Sequence, residues 1–395
     1  MTLHSIQPSS PPKGFALFEL GFRPFFLLAG WLGVLLVGIW GAVYANWLSL
    51  NTYYGLIGWH SHEMLFGYTS AVIAGFLLTA VRNWTGVDTI RGPLLAALAL
   101  LWLAGRILPL MPTVPHELIA LVDIAFLPCL TLALIPPLMK GKRKNWMFLV
   151  ILAVMCAANV MVHLQQLGLG NNGHNGAYLA SHLILLLISI IGGRVIPFFT
   201  EAGVRPIEIQ LQKREWVDRL AIGLVIALAA AQLIVPYSPL TPLLALLAAI
   251  AHGVRLYGWY HPLIWRHPLL WILHCAYLWL VIGLLMIPLA SMGLVSPFVA
   301  LHAFTTGCIG SITLGMMARV SLGHSGRPLA VHASITTAFV AMQLCTLARV
   351  IGPILLPGNP QLISLSALLW VIAFGLFSVV YTPILIKPRL DGRPG

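Results

Sequence analysis

Long apolar segments recur along the whole chain, and they constrain its fold more than any other feature. A helix needs about 20 apolar residues to cross a bilayer. Twelve such segments lie near 24–46, 59–81, 92–110, 117–139, 146–167, 176–198, 217–236, 241–259, 268–289, 297–318, 330–354 and 361–386. Only 8% of the 395 residues are charged, against about 25% in a soluble domain. We therefore predict an all-α, polytopic membrane protein of about 12 transmembrane helices.

The apolar segments leave little chain for other domains. Residues 1–23 are expected to form a polar cytoplasmic lead-in, without the apolar core and cleavage site of a signal peptide. Residues 24–386 are expected to form a single transmembrane domain, and residues 387–395 a cytoplasmic tail. The five cysteines lie in apolar stretches without a CxxC pair, which argues against a disulfide framework or a thiolate zinc site.

The basic residues predict the orientation. All of the 22 lysines and arginines except Arg106 and Arg349 fall at the termini or near the loops after even-numbered segments. The positive-inside rule makes that side the cytoplasm, so both termini are expected there. This distribution accounts for the net charge of +12. Since no patch interleaves basic and aromatic residues, no nucleic-acid partner is predicted.

A repeat links every fourth segment. Segments 2, 6 and 10 each carry a histidine near the outer end, and the three are equally spaced along the chain: His62, His182 and His302. The segments that follow carry Arg106, Gln232 and Arg349 at similar positions, each shortly before a proline. We interpret this layout as three four-helix units in parallel repetition. The alternative is a chance alignment among hydrophobic helices.

Five histidines are expected in the outer third of the spans: His60, His62, His163, His182 and His302. An ionisable group inside a span indicates function by default, and neutral imidazole is the commonest metal ligand. Imidazoles with few carboxylates nearby suit copper, iron or haem better than magnesium or calcium. The alternative is that each histidine only bonds a neighbouring helix.

Two polar residues are candidates for supporting such ligands. Asn159 lies four residues before His163, on the same helical face, where it can bond the imidazole or a bound ligand. Glu63 adjoins His62, and its carboxylate can orient a ligating ring. The alternative for Glu63 is an interfacial acid facing water.

The two exceptional arginines suggest an anionic ligand on the outer side. Arg106 and Arg349 can each hold a haem propionate through a bidentate contact. The alternative is an ion pair with Glu117 or Asp123, which are also predicted in the outer half.

Five stretches resemble the NnrS family of membrane proteins over nearly the whole chain. They are FELGFRPFF (18–26), WHSHEMLFGY (59–68), GFLLTAVRNWTG (75–86), GRVIPFFT (193–200) and LGMMARVSLGHSGRP (314–328). The resemblance implies a haem- and copper-containing protein of the bacterial inner membrane. It also implies a link to nitric oxide metabolism and to resistance against nitrosative stress.

A more distant architectural likeness points to the catalytic subunit of haem–copper oxidases and nitric oxide reductases. That superfamily has twelve helices in three arcs, with ligating histidines on helices 2, 6 and 10. Here segment 7 has no histidine pair and segment 10 carries only His302. Oxygen reduction and proton pumping are therefore not expected.

These observations lead to specific site assignments. His62 and His302 are the expected haem ligands, with Arg349 and Arg106 at the propionates. His60, His163 and His182 are expected to hold a second metal, copper, with Asn159 in support. Glu63 is expected to relay protons from the outer face.

The leading functional hypothesis is a protein that binds nitric oxide (NO) at this outer site and reduces it, with electrons from a donor that the sequence does not identify. The alternatives are a metal or haem transporter, and a non-catalytic protein that senses NO or protects against it.

Overall fold

The computed structural model describes residues 14–205, 207–236 and 238–393, and this part of the chain is helical without strands. Twelve of its helices are long and apolar enough to span a membrane. They are α1 (Phe22–Tyr44), α2 (Leu56–Thr85), α3 (Pro93–Leu110), α4 (His116–Met139), α5 (Arg143–Gln166), α6 (Gly173–Gly203), α7 (Glu215–Ile234), α8 (Leu240–Trp259), α9 (Pro268–Ser291), α10 (Pro297–His324), α11 (Ala333–Leu355) and α12 (Gln361–Ile386). The predicted all-α, polytopic architecture is confirmed. Of the expected lead-in, residues 1–13 lie outside the described residues.

The helices form a closed bundle around α2, α6 and α10. Consecutive helices pack against one another, and α1 closes the arrangement against α12. In α2 and α10, 78% of the most apolar 18-residue window is buried, more than in any other of the twelve helices. Both helices contact α6. Each predicted four-helix unit thus contributes its second helix to the centre of the bundle.

The three central helices extend further toward the predicted inner side than their apolar segments. The predicted segments end at residues 81, 198 and 318, but the helices continue to Thr85, Gly203 and His324. The guanidinium of Arg319 lies 3.9 Å from the ring centre of Phe199. That of Arg194 lies over Trp84. Because aromatic faces attract these cations, the buried Arg319 and the exposed Arg194 do not end their helices.

Two central helices share a rare irregularity at the same place. A π-helical segment, Glu63–Thr69, directly follows His62 in α2, and another, Ala303–Gly310, directly follows His302 in α10. Around His182, α6 is a regular α-helix. Such segments are uncommon and are frequent at functional sites. Units one and three therefore share a local structure that unit two lacks.

Candidate metal centre

A group of polar side chains is buried near the predicted outer end of α2–α5. We call this group the outer polar cluster; it consists of His62, Glu63, Arg106, Asp123, Asn159 and His163. Each residue is at most 6% exposed. Charged groups in a span are costly and normally face partners inside the bundle, so this concentration marks the strongest candidate for a functional site.

Asp123 is the centre of the outer polar cluster. Its Oδ2 lies 2.9 Å from His163 Nε2 and 3.2 Å from His62 Nε2. All three donor atoms lie within 4.8 Å of one another. Ligands at about 2.1 Å from a tetrahedral metal ion are roughly 3.4 Å apart. The three atoms are therefore spaced as ligands of a single ion.

The other nitrogen of each imidazole is held by an oxygen. Glu63 Oε1 lies 3.3 Å from His62 Nδ1, and the Tyr53 hydroxyl lies 3.3 Å from His163 Nδ1. When Nδ1–H donates to these oxygens, the Nε2 lone pair is available to a cation bound together with Asp123; without a cation, Nε2–H donates to the Asp123 carboxylate. Metal-ligating histidines are typically oriented in this way.

Asn159 contacts both Asp123 and His62. Its Nδ2 donates to Asp123 Oδ2 at 2.8 Å, and its Oδ1 lies 3.0 Å from His62 Nε2. The sequence places Asn159 and His163 on one helical face, and in the structure that face of α5 meets both α2 and α4.

Arg106 contacts the two carboxylates of the cluster. It donates from Nη1 to Glu63 Oε1 at 2.9 Å and pairs through Nη2 with Asp123 Oδ1. Its donors are thus directed at protein carboxylates, and Asp123 Oδ2 remains free to face the imidazoles. Two carboxylates and one guanidinium leave a charge of −1 when both imidazoles are neutral. Burial demands that this charge be compensated by a proton or a bound cation.

Two tyrosines in the loop before α2 cover the cluster. The Tyr54 ring stacks on His62 at 4.0 Å, and its hydroxyl lies 3.2 Å from His62 Nε2. Burial raises the pKa of Tyr54 well above its usual range. Burial, followed by the nearby Glu117 charge, raises the pKa of Tyr53 to about 12. Both phenols are therefore neutral hydrogen-bond donors at physiological pH.

Glycines allow this close packing. A Cβ on Gly67 would lie 2.8 Å from both Arg106 Nη1 and Glu63 Oε2. A Cβ on Gly105 would lie 2.9 Å from Asp123 Oδ1. Helices α2 and α3 can approach the charged side chains only because these positions lack a side chain.

The structure groups the five predicted histidines differently from the sets expected from the sequence. His62 and His163 share the outer polar cluster, although they were expected at different cofactors. His60 instead stacks on Trp40 at 4.3 Å, and it lies within electrostatic range of His302.

His182 belongs to neither group. Its Nδ1 lies 2.8 Å from the Tyr178 carbonyl oxygen, and the side chain of Gln232 of α7 is close enough to affect it. Arg349 lies within electrostatic range of His60 and His302. In each unit, the central histidine therefore lies near the polar residue that the predicted repeat places on the next helix. These residues are Arg106, Gln232 and Arg349.

Three residues of the site were not among the sequence candidates: Asp123, Tyr53 and Tyr54. Asp123 was considered only as a partner for the arginines, although it is one of very few acids inside a span. The tyrosines lie in a loop, and no periodic pattern distinguishes them from other interfacial aromatics.

The fold and the site define a polytopic membrane protein with a buried histidine–aspartate cluster between its helices. A family described as NnrS protein matches residues 16–389. The chain therefore belongs to the NnrS family. A comparison with curated proteins finds no match.

Proposed function

We propose that the outer polar cluster is a metal centre that binds NO and reduces it, in the inner membrane of a bacterium with both termini in the cytoplasm. The observation that carries this proposal is the convergence of two imidazole nitrogens and one carboxylate oxygen at metal-ligand spacing. The family resemblance supplies the expected substrate, since it links such proteins to nitric oxide metabolism.

Copper is the metal that we assign to His62, His163 and Asp123. Imidazole and carboxylate donors bind divalent copper more tightly than other first-row metals. The net charge of −1 also favours a cation. Non-haem iron is the second candidate, because two histidines and one carboxylate with open positions are a common iron ligand set. The histidines at positions 60 and 182 are left out of this centre because they lie in other surroundings.

His62 is better suited to this ion than to a haem. Asn159 Oδ1 and Asp123 Oδ2 lie 3.0 Å and 3.2 Å from its Nε2. The Tyr54 hydroxyl lies 3.2 Å from the same nitrogen. These neighbours leave room beside His62 Nε2 for a single ion only. A porphyrin ring bound to the same nitrogen would need the space that they occupy.

NO is small, uncharged and soluble in lipid, so it needs no charged entrance. A cavity of about 80 Å³ lies between α2, α6 and α10. Its walls are mainly apolar and include Phe76, Ile188 and Ile312. An apolar cavity of this kind in the centre of the bundle can accommodate NO.

Reduction of two NO molecules to N₂O and water consumes two electrons and two protons. An external electron donor supplies the electrons, and a metal held by His62, His163 and Asp123 would provide the site at which NO binds. Glu63 is the proposed proton carrier, because its Oε2 is buried without a hydrogen-bond partner among the described residues. Its other oxygen is held by Arg106. Tyr53 and Tyr54 lie between the cluster and the outer surface, so protons enter from that side.

The test is anaerobic NO consumption by purified protein, reduced with a chemical mediator. We expect His163→Ala to abolish consumption and Glu63→Gln to slow it by about 10²-fold or more, the usual effect of losing a proton-transfer group. His182→Ala is the matched control and should retain wild-type activity. If the wild-type protein binds NO without consuming it, the enzyme hypothesis is wrong, and the result favours a protective protein that binds NO.

A further inference from the structure

A cavity of about 500 Å³ lies at the predicted inner end of α7 and α8. We call it the α7–α8 pocket; its lining includes Arg214, Asp218, Ile250, Val254, Arg255 and Tyr257. Its volume falls within the range of about 300–1,000 Å³ that is typical of small-molecule sites. None of these residues belongs to the outer polar cluster, so the pocket is a separate candidate for ligand binding.

An ion pair with a buried arginine lines one wall of the pocket. Arg255, which is 4% exposed, donates from Nε to Asp218 Oδ1 at 2.7 Å. Its Nη1 donates to the Tyr277 hydroxyl at 2.6 Å and to Ser189 Oγ at 3.1 Å. Residues of α6, α7 and α9 thus fix this guanidinium, and Asp218 balances its charge.

Arg214 supplies a second cation, at the exposed edge of the pocket. Its Nη2 donates to Gln212 Oε1 at 3.3 Å, and no described residue forms an ion pair with it. The next arginine, Arg219, already pairs with Glu215. Because the charge of Arg255 is balanced, Arg214 leaves the lining of the pocket with a net charge of +1. The pocket therefore favours a ligand with one negative charge.

Exposed aromatic side chains mark the depth of the pocket in the membrane. Tyr257 lines the pocket and is 79% exposed. Trp216, Tyr260 and Trp265 lie near it in the chain and are also exposed. Tryptophan and tyrosine are enriched where the bilayer meets water. The pocket is therefore placed at the level of the lipid headgroups, on the side that the basic residues predict to be cytoplasmic.

An apolar face of α8 leads from the pocket toward the middle of the membrane. Ile250 and Val254 line the pocket and are exposed. Leu243 and Leu247 continue the same face at helical spacing and are exposed as well. A small soluble anion would contact Arg214 and leave this face without a partner. A lipid contacts both the cation and the apolar face.

We propose that the α7–α8 pocket binds a phospholipid of the inner leaflet with a negatively charged headgroup, such as phosphatidylglycerol. Arg214 holds the phosphate, and the acyl chains lie along Ile250 and Val254. Basic pockets between membrane helices on the cytoplasmic side are known sites for anionic headgroups. The ammonium group of phosphatidylethanolamine would leave the positive charge of the pocket uncompensated. The proposal goes beyond the reaction proposed for the outer polar cluster and does not depend on it.

Native mass spectrometry of the purified full-length protein tests the choice of ligand. The protein in detergent receives phosphatidylglycerol, phosphatidylethanolamine or inorganic phosphate, and the bound molecules are counted per chain. We expect phosphatidylglycerol to bind about tenfold more tightly than phosphatidylethanolamine, because only its phosphate charge is uncompensated. Inorganic phosphate should not displace the lipid, since it makes no contact with the apolar face.

A pair of arginine variants tests the role of charge. Arg214→Gln should weaken binding of phosphatidylglycerol by about tenfold, since a charge-assisted hydrogen bond to phosphate is lost. Arg219→Gln is the matched control, because it also removes one positive charge near the start of α7 from a side chain outside the pocket. It should bind the lipid as the wild type does.

A second pair of variants tests the shape of the pocket without altering its charge. Val254→Trp fills the pocket at an exposed position, so it should bind less phosphatidylglycerol than the wild type. Leu247→Trp is the control, since it lies about two turns away on the same face of α8 and outside the pocket. Circular dichroism and metal content at the outer polar cluster show whether each variant is folded.

Three results would overturn the proposal. Equal losses in Arg214→Gln and Arg219→Gln would indicate a general attraction of anionic lipid to a basic surface. Wild-type binding in Val254→Trp would place the lipid elsewhere. Displacement of the lipid by inorganic phosphate would assign the pocket to a soluble anion. None of these measurements uses NO, so failure of the proposed reaction is distinguishable from failure of this site.

Discussion

The first and second four-helix units place a histidine at the same position of the bundle, yet only the first surrounds it with charge. His62 is followed by a π segment, and acids and Arg106 lie around it. His182 lies in a regular helix and faces Gln232. Within the predicted repeat, a histidine at the equivalent position is therefore surrounded by charge only where neighbouring residues supply it.

The charges of unit one carry an energetic cost that unit two avoids. Buried ions lose their hydration, and their mutual attraction compensates for this loss only when every partner is in place. Asp123 contacts four members of its cluster, so it is the residue on which this compensation depends. In unit two, Gln232 takes the position that Arg106 has in unit one, and a neutral glutamine requires no such network.

The largest expected effect follows removal of the Asp123 side chain. Asp123→Ala should destabilise the protein by about 3–5 kcal/mol, because it leaves Arg106 without one carboxylate, and it should abolish metal binding. Thermal unfolding in detergent and metal analysis measure both effects. Gln232→Ala in unit two is the control, with an expected cost of at most about 1.5 kcal/mol, because it removes only a neutral polar side chain. Equal losses in the two variants would contradict the contrast between the units.

A smaller effect is expected from filling the space beside the ion pairs. Gly67→Ala should cost about 1–3 kcal/mol, because the new Cβ would lie 2.8 Å from Arg106 Nη1 and force the network apart. Gly375→Ala is the control, since nothing lies within 4 Å of a Cβ there, and it should stabilise α12 by about 0.5–1 kcal/mol. If the melting temperatures fall equally in both variants, close packing against the ion pairs at Gly67 does not account for the loss of stability.

The smallest expected effect is a dependence of stability on alkaline pH. Tyrosine in an unfolded chain has a pKa of about 10, whereas that of Tyr53 is raised to about 12. The stabilisation is complete below pH 10 and is lost as pH rises toward 12. Melting temperatures above pH 10 should therefore fall less steeply in Tyr53→Phe than in the wild type. Parallel curves would argue against a buried, neutral Tyr53.

Most of the fold could be predicted because its determinants are local. These determinants are read along the chain: the length of each apolar segment, the positions of proline and glycine, and the distribution of basic residues. Together they predict twelve helices and their orientation. The exceptions are the inner ends of α6 and α10, where Arg194 and Arg319 interrupt the apolar pattern. Aromatic rings from other parts of the chain accommodate them, which hydropathy does not reveal.

The candidate site could be predicted only in part. Helical periodicity separates His60 from His62, and the structure places them in different surroundings. The partner of each histidine depends on how helices pack across the bundle, which periodicity does not encode. Asp123 joins the site because α4 packs beside α3 and α5, and the extra residue of a π segment changes the direction of the side chains that follow.

Metal content tests most directly the claim that the outer polar cluster, and not His182 of unit two, holds the non-haem metal. The measurement is copper and iron per chain, by mass spectrometry and electron paramagnetic resonance, in wild type, His163→Ala and His182→Ala. We predict that His163→Ala loses the non-haem metal signal while His182→Ala retains it at wild-type stoichiometry. Retention of that metal in His163→Ala, or an equal loss in His182→Ala, would contradict the account.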